Sequence, residues 1–133
     1  MTFTISCIPP KGTHQSALRV FGGRPVRQRT SKAEKERQTL QALLMPHRPK
    51  EPLQGPLRLR VSWIYPYRKA EPKKNRGHLL PCDTRPDCDN LAKGLCDIMT
   101  GLGFWHDDAQ VALLHFSKWW GPEPGISIEI ETL

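Results

Sequence analysis

Residues 89–103 have the spacing of an amphipathic helix, and they constrain the fold more than any other part of the chain. At about 100° per residue, the leucine and isoleucine residues fall on one side of this helix and the charged residues on the other. The apolar side holds Leu91, Leu95, Ile98 and Leu102, and the charged side holds Asp89, Lys93 and Asp97. Asp87 or Asp89 can cap the start, and Gly101 and Gly103 end the helix. The rest of the chain must therefore supply an apolar surface on which this helix packs.

Strand patterns supply that surface. Residues 57–63 alternate between apolar and polar types, and the pattern continues to Tyr65 and stops at Pro66. This is the period of a half-buried strand. Residues 2–8, 111–119 and 126–131 are also predicted strands, and the isoleucines of the last one are expected to face the core. A turn rich in Gly and Pro at residues 121–125 predicts that the last two strands form a hairpin.

A second helix is predicted from the capping-box spacing of Ser31 and Glu34, and it should end before Pro46. Residues 11–29, which are rich in Gly, Arg and Pro, and residues 46–56, with four prolines, are predicted loops. We therefore expect one compact α/β domain over residues 1–133, with two main helices packed on a small mixed sheet.

Carboxylates cluster at the start of the 89–103 helix and again before residue 111. Asp87 and Asp89 are two positions apart, so in the turn entering a helix both can reach one ion. Asp108 is a natural third ligand, and Lys93 lies one helical turn beyond Asp89. Clustered carboxylates repel one another, and proteins usually neutralise them with a hard cation such as Mg²⁺. Such a site, with a lysine beside it, suits hydrolysis of a phosphodiester.

A structural role is the alternative for the same residues. Asp87 or Asp89 can be a helix cap, Lys93 its exposed salt-bridge partner, and Asp107-Asp108 a turn. An isolated Asp-x-Asp is more often structural, because acidic residues are common at helix starts.

The net charge of +7 is distributed unevenly along the chain. Residues 1–86 hold 18 Lys/Arg and 5 Asp/Glu, a net charge of +13, whereas residues 87–133 hold 2 and 8, a net charge of −6. A basic chain around an acidic, metal-ready centre is typical of an enzyme that holds and cuts nucleic acid. The candidate phosphate contacts are Arg68, Lys69, Lys73, Lys74 and Arg76 in one loop and Arg24, Arg27 and Arg29 in another. A solvated charged surface is the competing interpretation.

Several protein classes are disfavoured. No apolar run approaches the roughly 18 residues of a membrane span, and the N-terminal residues lack the pattern of a signal peptide. The four cysteines have no C-x-x-C spacing for zinc, so we expect reduced thiols in a cytoplasmic protein. The aromatic residues between 104 and 120 are expected in the core or an interface rather than as stacking platforms for bases.

The acidic motifs resemble the signature of a known nuclease family. Residues 85–97 read RPDCDNLAKGLCD, and residues 107–111 read DDAQV. Together they are similar to the pattern K/R-P-D-x-D-N-L-x-K-x-x-x-D, followed by D-D-x-Q-V, of the RusA family of Holliday junction resolvases. The resemblance covers residues 78–112 well, and Cys88 stands where the family more often has an aliphatic residue.

The resemblance implies a RusA-like homodimer that binds four-way DNA junctions and makes paired symmetric nicks with Mg²⁺ or Mn²⁺, in recombination and repair. Asp87, Asp89 and Asp108 match the family's essential acidic residues, and Lys93 matches its essential lysine. Asp107 and Asp97 also fall on motif positions and are expected in supporting roles. The alternatives are a nuclease for other branched DNA, such as flaps or forks, and a non-catalytic protein that binds branched DNA.

Overall fold

The computed structural model describes residues 1–11, 16–21, 24–29 and 31–133, with the backbone alone for the two ranges between 16 and 29. The strands are β1 (Thr2–Ser6), β2 (Ser16–Phe21), β3 (Arg24–Arg29), β4 (Leu57–Pro66), β5 (Leu80–Pro81), β6 (Val111–Gly121) and β7 (Gly125–Thr132). The α-helices are α1 (Ser31–Leu44) and α2 (Cys88–Leu102), and short 3-10 helices occupy Met45–His47, Lys73–Asn75 and Asp108–Gln110. The predicted α/β domain with a mixed sheet and two main helices is confirmed.

The main sheet is organised around β4. Its five strands lie in the order β1-β7-β4-β6-β5, with β4 antiparallel to β7 and parallel to β6. Every second residue of β4 is buried, namely Leu57, Leu59, Val61, Trp63 and Tyr65. The isoleucines of β7 are buried on the same side, at positions 126, 128 and 130. The period-two prediction for both strands is confirmed.

The predicted hairpin between β6 and β7 is wrong. Gly121 at the end of β6 pairs with Pro66, and Gly125 at the start of β7 pairs with Ile64. The two strands therefore flank β4 on opposite sides, and the chain crosses over the end of β4 between them. A turn signal predicts a change of direction, but not which strand becomes the hydrogen-bonding neighbour.

The predicted loop at residues 11–29 is also corrected. It contains β2 and β3, which pair antiparallel as a separate two-stranded sheet, with Phe21 opposite Arg24. Four arginines and a proline interrupt any apolar alternation in these strands. The strands were therefore not distinguishable from a basic loop by pattern.

Both helices contribute to one hydrophobic core with the sheet. The α2 helix buries Leu91, Leu95, Ile98 and Met99, and α1 buries Ala33, Leu40 and Leu44. Phe104, Trp105 and Trp120 are buried in this core, as expected for the aromatic residues, and the Trp105 indole donates to Thr100 Oγ1 (2.7 Å). In the described part of the chain, no helix is long and apolar enough to cross a membrane.

Candidate active site

The start of α2 presents two carboxylates to solvent. Asp87 occupies the N-cap position with extended backbone angles (φ −74°, ψ 147°), but its side chain makes no capping hydrogen bond. Asp89 lies in the first helical turn, and Asp87, Asp89 and Lys93 are all exposed. Lys93 makes no ion pair with Asp89 within 4.0 Å; the ion pairs among the described residues lie elsewhere. The structural alternative, a capping aspartate with a salt-bridged lysine, therefore does not describe this helix start.

The second acidic motif is held by a network around Gln110. Asp107 caps the 3-10 helix Asp108–Gln110 by accepting a hydrogen bond from the Ala109 amide (2.9 Å). Gln110 Oε1 accepts from the amides of His106 (2.8 Å) and Asp107 (3.1 Å). Its Nε2 donates to the carbonyls of Leu53 and Gly55, at 2.9 Å each. One side chain thus attaches the Asp107-Asp108 segment to the loop before β4.

The two aspartates of this motif have different environments. The Asp107 carboxylate is engaged in the cap, whereas Asp108 is exposed beside it. Neighbouring protein atoms raise the pKa of the Asp108 carboxyl, chiefly by desolvation, and the hydrogen bond and charge of Asp107 and the charge of Asp97 raise it further. The pKa of Cys96 is raised to about 11, first by burial and then by the charges of Asp108 and Asp97. Negative charge therefore accumulates where the 3-10 helix faces α2.

The acidic side chains form a row rather than a closed cluster. Asp89, Lys93 and Asp97 follow one another along the exposed side of α2, about 6 Å apart in rise. Asp108 lies on the neighbouring 3-10 helix, and the charge of Asp97 contributes to its raised pKa. Among the described residues, no group of three or more His, Cys, Asp or Glu side chains is close enough to hold a metal ion. The donors are nevertheless all carboxylates, which suit a hard divalent cation.

Comparison with known proteins places the chain in a family. The family model described as endodeoxyribonuclease RusA matches residues 8–131. The chain belongs to the RusA family. A protein named crossover junction endodeoxyribonuclease rusA, from Lactococcus phage r1t, is 38% identical over 94 residues, which cover 69% of this chain and 68% of the phage protein. The uncharacterized protein YqaN of Bacillus subtilis (strain 168) is 34% identical over 91 residues, or 63% of either chain.

As a RusA-family chain, this protein has its predicted site residues on two elements. Asp87, Asp89, Lys93 and Asp97 belong to the start and the exposed side of α2, and Asp107 and Asp108 belong to the 3-10 helix before β6. Asp108 interacts electrostatically with Asp97, and among the described residues Asp87, Asp89 and Asp108 do not form a closed metal-binding group. The anchoring role of Gln110 was not predicted, although its place in the D-D-x-Q-V motif was a usable signal.

Two arginines of the predicted basic loop stabilise the conformation of the loop itself. The Arg76 guanidinium donates to the carbonyls of Glu71 (3.2 Å), Arg68 (3.3 Å) and Lys69 (3.5 Å). Arg68 lies over the Trp120 ring at 4.0 Å and pairs with Glu71 at 3.5 Å.

The three lysines of the loop are placed differently from its arginines. Lys69, Lys73 and Lys74 are exposed and make no ion pair among the described residues. They are the loop's candidates for phosphate contacts. Arg24, Arg27 and Arg29 lie on β3, where their side chains fall outside the described part of the chain.

Proposed function

We propose that this chain is a Mg²⁺-dependent, structure-selective endonuclease that resolves four-way DNA junctions by paired symmetric nicks, with Mn²⁺ as a possible substitute metal. The observation that carries the proposal is the helix start at Asp87. A residue at the N-cap position normally caps the helix with its side chain. The Asp87 carboxylate is instead exposed and, like that of Asp89, makes no hydrogen bond or ion pair with the described residues. The family membership and the name of the phage relative support the choice of substrate.

The proposed metal ligands are Asp87, Asp89 and Asp108. Their carboxylates fit Mg²⁺ by chemistry, and crowding of negative charge around Asp108, seen in its raised pKa, would be relieved by a bound cation. When bound, Mg²⁺ would supply polarisation of the scissile phosphate and a more acidic attacking water. Because the carboxylates are exposed and not yet grouped, their side chains must turn toward one another for binding.

The residues of the chain have separate roles in this proposal. Lys93, on the same side of α2 as Asp89, would stabilise the negative charge that develops on the phosphate. Asp107 would hold the backbone that carries Asp108, as its cap already does. Asp97 would add to the negative charge around Asp108. Lys69, Lys73 and Lys74 would bind the DNA backbone away from the cleavage site.

A homodimer is part of the proposal, because symmetric nicks in two strands require two related sites. The first half of β6 has no hydrogen-bonding strand on its outer side among the described residues, since β5 pairs only with Trp119 and Trp120. This edge also exposes Leu113 and Leu114, at 52% and 51% of their surface. An exposed apolar strand edge is typically covered by a partner, here a second copy. Sedimentation equilibrium of the purified chain tests the dimer.

Labelled four-way, three-way and linear duplex substrates, incubated with Mg²⁺ or with a chelator, test the activity. We expect paired symmetric nicks in the four-way junction, with Mg²⁺ only. Cleavage confined to three-way or flap substrates would favour a nuclease for other branched DNA. Shifted bands without cleavage in either Mg²⁺ or Mn²⁺ would favour a non-catalytic binding protein.

A further inference from the structure

Lys118 is one of only two lysines in residues 87–133, a region with eight acidic residues and no arginine. The other is Lys93 of the RusA signature. Lys118 lies on β6 opposite Trp63 of β4, and it is half-buried. Lys118 lies outside both acidic motifs, so no motif assigns it a role.

The Lys118 ammonium contacts the segment that leads into the acidic helix. Its Nζ donates hydrogen bonds to the carbonyl oxygens of Thr84 (2.5 Å) and Pro86 (2.6 Å). The Lys118 carbonyl also accepts from the Cys82 amide (3.1 Å). One residue of β6 therefore holds both ends of residues 82–86, through its backbone at one end and its side chain at the other.

The contacted segment leads directly into α2. Asp87 follows Pro86 directly, and the Asp87 carbonyl accepts the first helical hydrogen bond, from the Leu91 amide (3.1 Å). In the described part of the chain, residues 82–86 lie outside the strands and helices. Charge-assisted hydrogen bonds from an ammonium are stronger than neutral ones, so Lys118 is a firm anchor for an otherwise irregular segment.

We propose that Lys118 is a positioning residue for the Asp87 and Asp89 carboxylates. It holds residues 84–86 against the sheet, so that the two side chains project from a fixed helix start toward the face of α2 that carries Lys93. Its ammonium is engaged by two carbonyls and is thereby kept from the DNA backbone. The effect of Lys118 on cleavage rests on the proposed nuclease function, whereas its effect on the segment does not.

Amide hydrogen exchange of the metal-free protein tests the positioning directly. We expect Lys118→Met to raise exchange rates about tenfold or more at the hydrogen-bonded amides of Cys82 and Leu91, while β4 and β7 keep their protection. Lys50→Met, at an exposed position of another loop, is the matched control and should change neither region. Unchanged exchange at Cys82 and Leu91 in Lys118→Met would overturn the proposal.

Single-turnover cleavage of a four-way junction tests the consequence. We expect Lys118→Met to lower the cleavage rate about 100-fold, since a misplacement of about 1 Å can have that effect. Junction affinity in chelator and its salt dependence should stay within twofold of wild type. Lys118→Arg, which keeps cationic donors, should recover at least tenfold of the lost rate.

Two results separate this proposal from its alternatives. If Lys118→Met mainly weakens junction binding and flattens its salt dependence, Lys118 is a phosphate contact and the proposal fails. If the wild-type chain cleaves no branched substrate, the nuclease function fails, and the exchange experiment still decides the positioning. Should Lys118→Met not fold, Lys118→Gln, whose shorter side chain cannot reach both carbonyls, is judged by the same measurements.

Discussion

Asp87 and Asp107 occupy equivalent backbone positions with different consequences. Each is the N-cap of a helix, but only Asp107 uses its carboxylate to accept a backbone hydrogen bond. Asp107 thereby fixes the 3-10 helix that carries Asp108, and Asp87 keeps its charge available to a ligand. Sequence spacing alone could not separate these roles, since both residues start a helix.

Asp89→Asn is expected to abolish Mg²⁺-dependent junction cleavage. The substitution keeps the shape of the side chain and removes the charge of a proposed metal ligand, so we expect a loss on the order of 10³-fold. Binding of the junction, measured in chelator, should be retained. Asp83→Asn, another exposed aspartate outside the motif, is the control and should cleave normally. Full activity of Asp89→Asn in Mg²⁺ would remove Asp89 from the site.

Asp108→Asn should raise the melting temperature slightly at pH 7 while it impairs cleavage. The pKa of Asp108 is raised above its ordinary value of 3.8, chiefly by desolvation, so the folded protein binds this proton more tightly than the unfolded chain. The free energy of unfolding therefore falls as pH rises from 3.8 through the folded-state pKa, and the Asn variant escapes this loss. The gain is small, because Asp108 is exposed to solvent.

Melting curves between pH 3 and pH 8 measure this effect. The difference between Asp108→Asn and wild type should shrink below pH 3.8, where the wild-type carboxyl is protonated in both states. Glu123→Gln, at an exposed position in the crossing between β6 and β7, is the matched control. A lower melting temperature of Asp108→Asn at pH 7 would contradict the assigned repulsion.

At the scale of elements, the sequence pattern within a single strand or helix predicted which of its residues are buried. The alternation in β4 and the apolar stripe of α2 predicted buried residues correctly, because each pattern states which side of one element meets the core. The neighbours of β4 were not predictable in this way. They depend on hydrogen bonds between strands far apart in sequence, such as Trp63 with Lys118 and Ile126.

Alanine substitutions at two nearby glycines at the end of α2 should change the free energy of unfolding in opposite directions. Gly103 is the C-cap with φ 85°, so alanine there is expected to destabilise the fold by about 1–2 kcal/mol. Gly101 lies in the last helical turn, and a Cβ would meet nothing within 4 Å. Alanine at 101 should therefore stabilise by up to about 0.5–1 kcal/mol. Urea unfolding measures the free energy of unfolding of both variants. If both variants change it in the same direction by the same amount, the assigned end of α2 is wrong.

At the scale of the whole molecule, the motif predicts a set of candidate site residues but not how they are arranged. It names Asp87, Asp89, Lys93 and Asp108, and the RusA model matches the stretch of chain that contains them. The contacts that support the site were not predicted, because Gln110 and the Lys118 ammonium bind backbone carbonyls, which have no sequence signature, although Gln110 itself lies in the D-D-x-Q-V motif. Likewise, Arg68 and Arg76 counted as basic residues in the sequence, although the fold uses them to shape their own loop.

The salt dependence of junction binding should depend on the lysines of that loop. Each phosphate contact adds about 0.9 to the slope of log affinity against log salt, so Lys73→Gln with Lys74→Gln should reduce the slope by about 1.8. Arg48→Gln with Lys50→Gln, two exposed cations in the 46–56 segment, is the charge-matched control. Filter binding in chelator at several salt concentrations measures both pairs. Equal reductions in the two double variants would indicate a general effect of net charge, and no reduction in the first would place the DNA on another face.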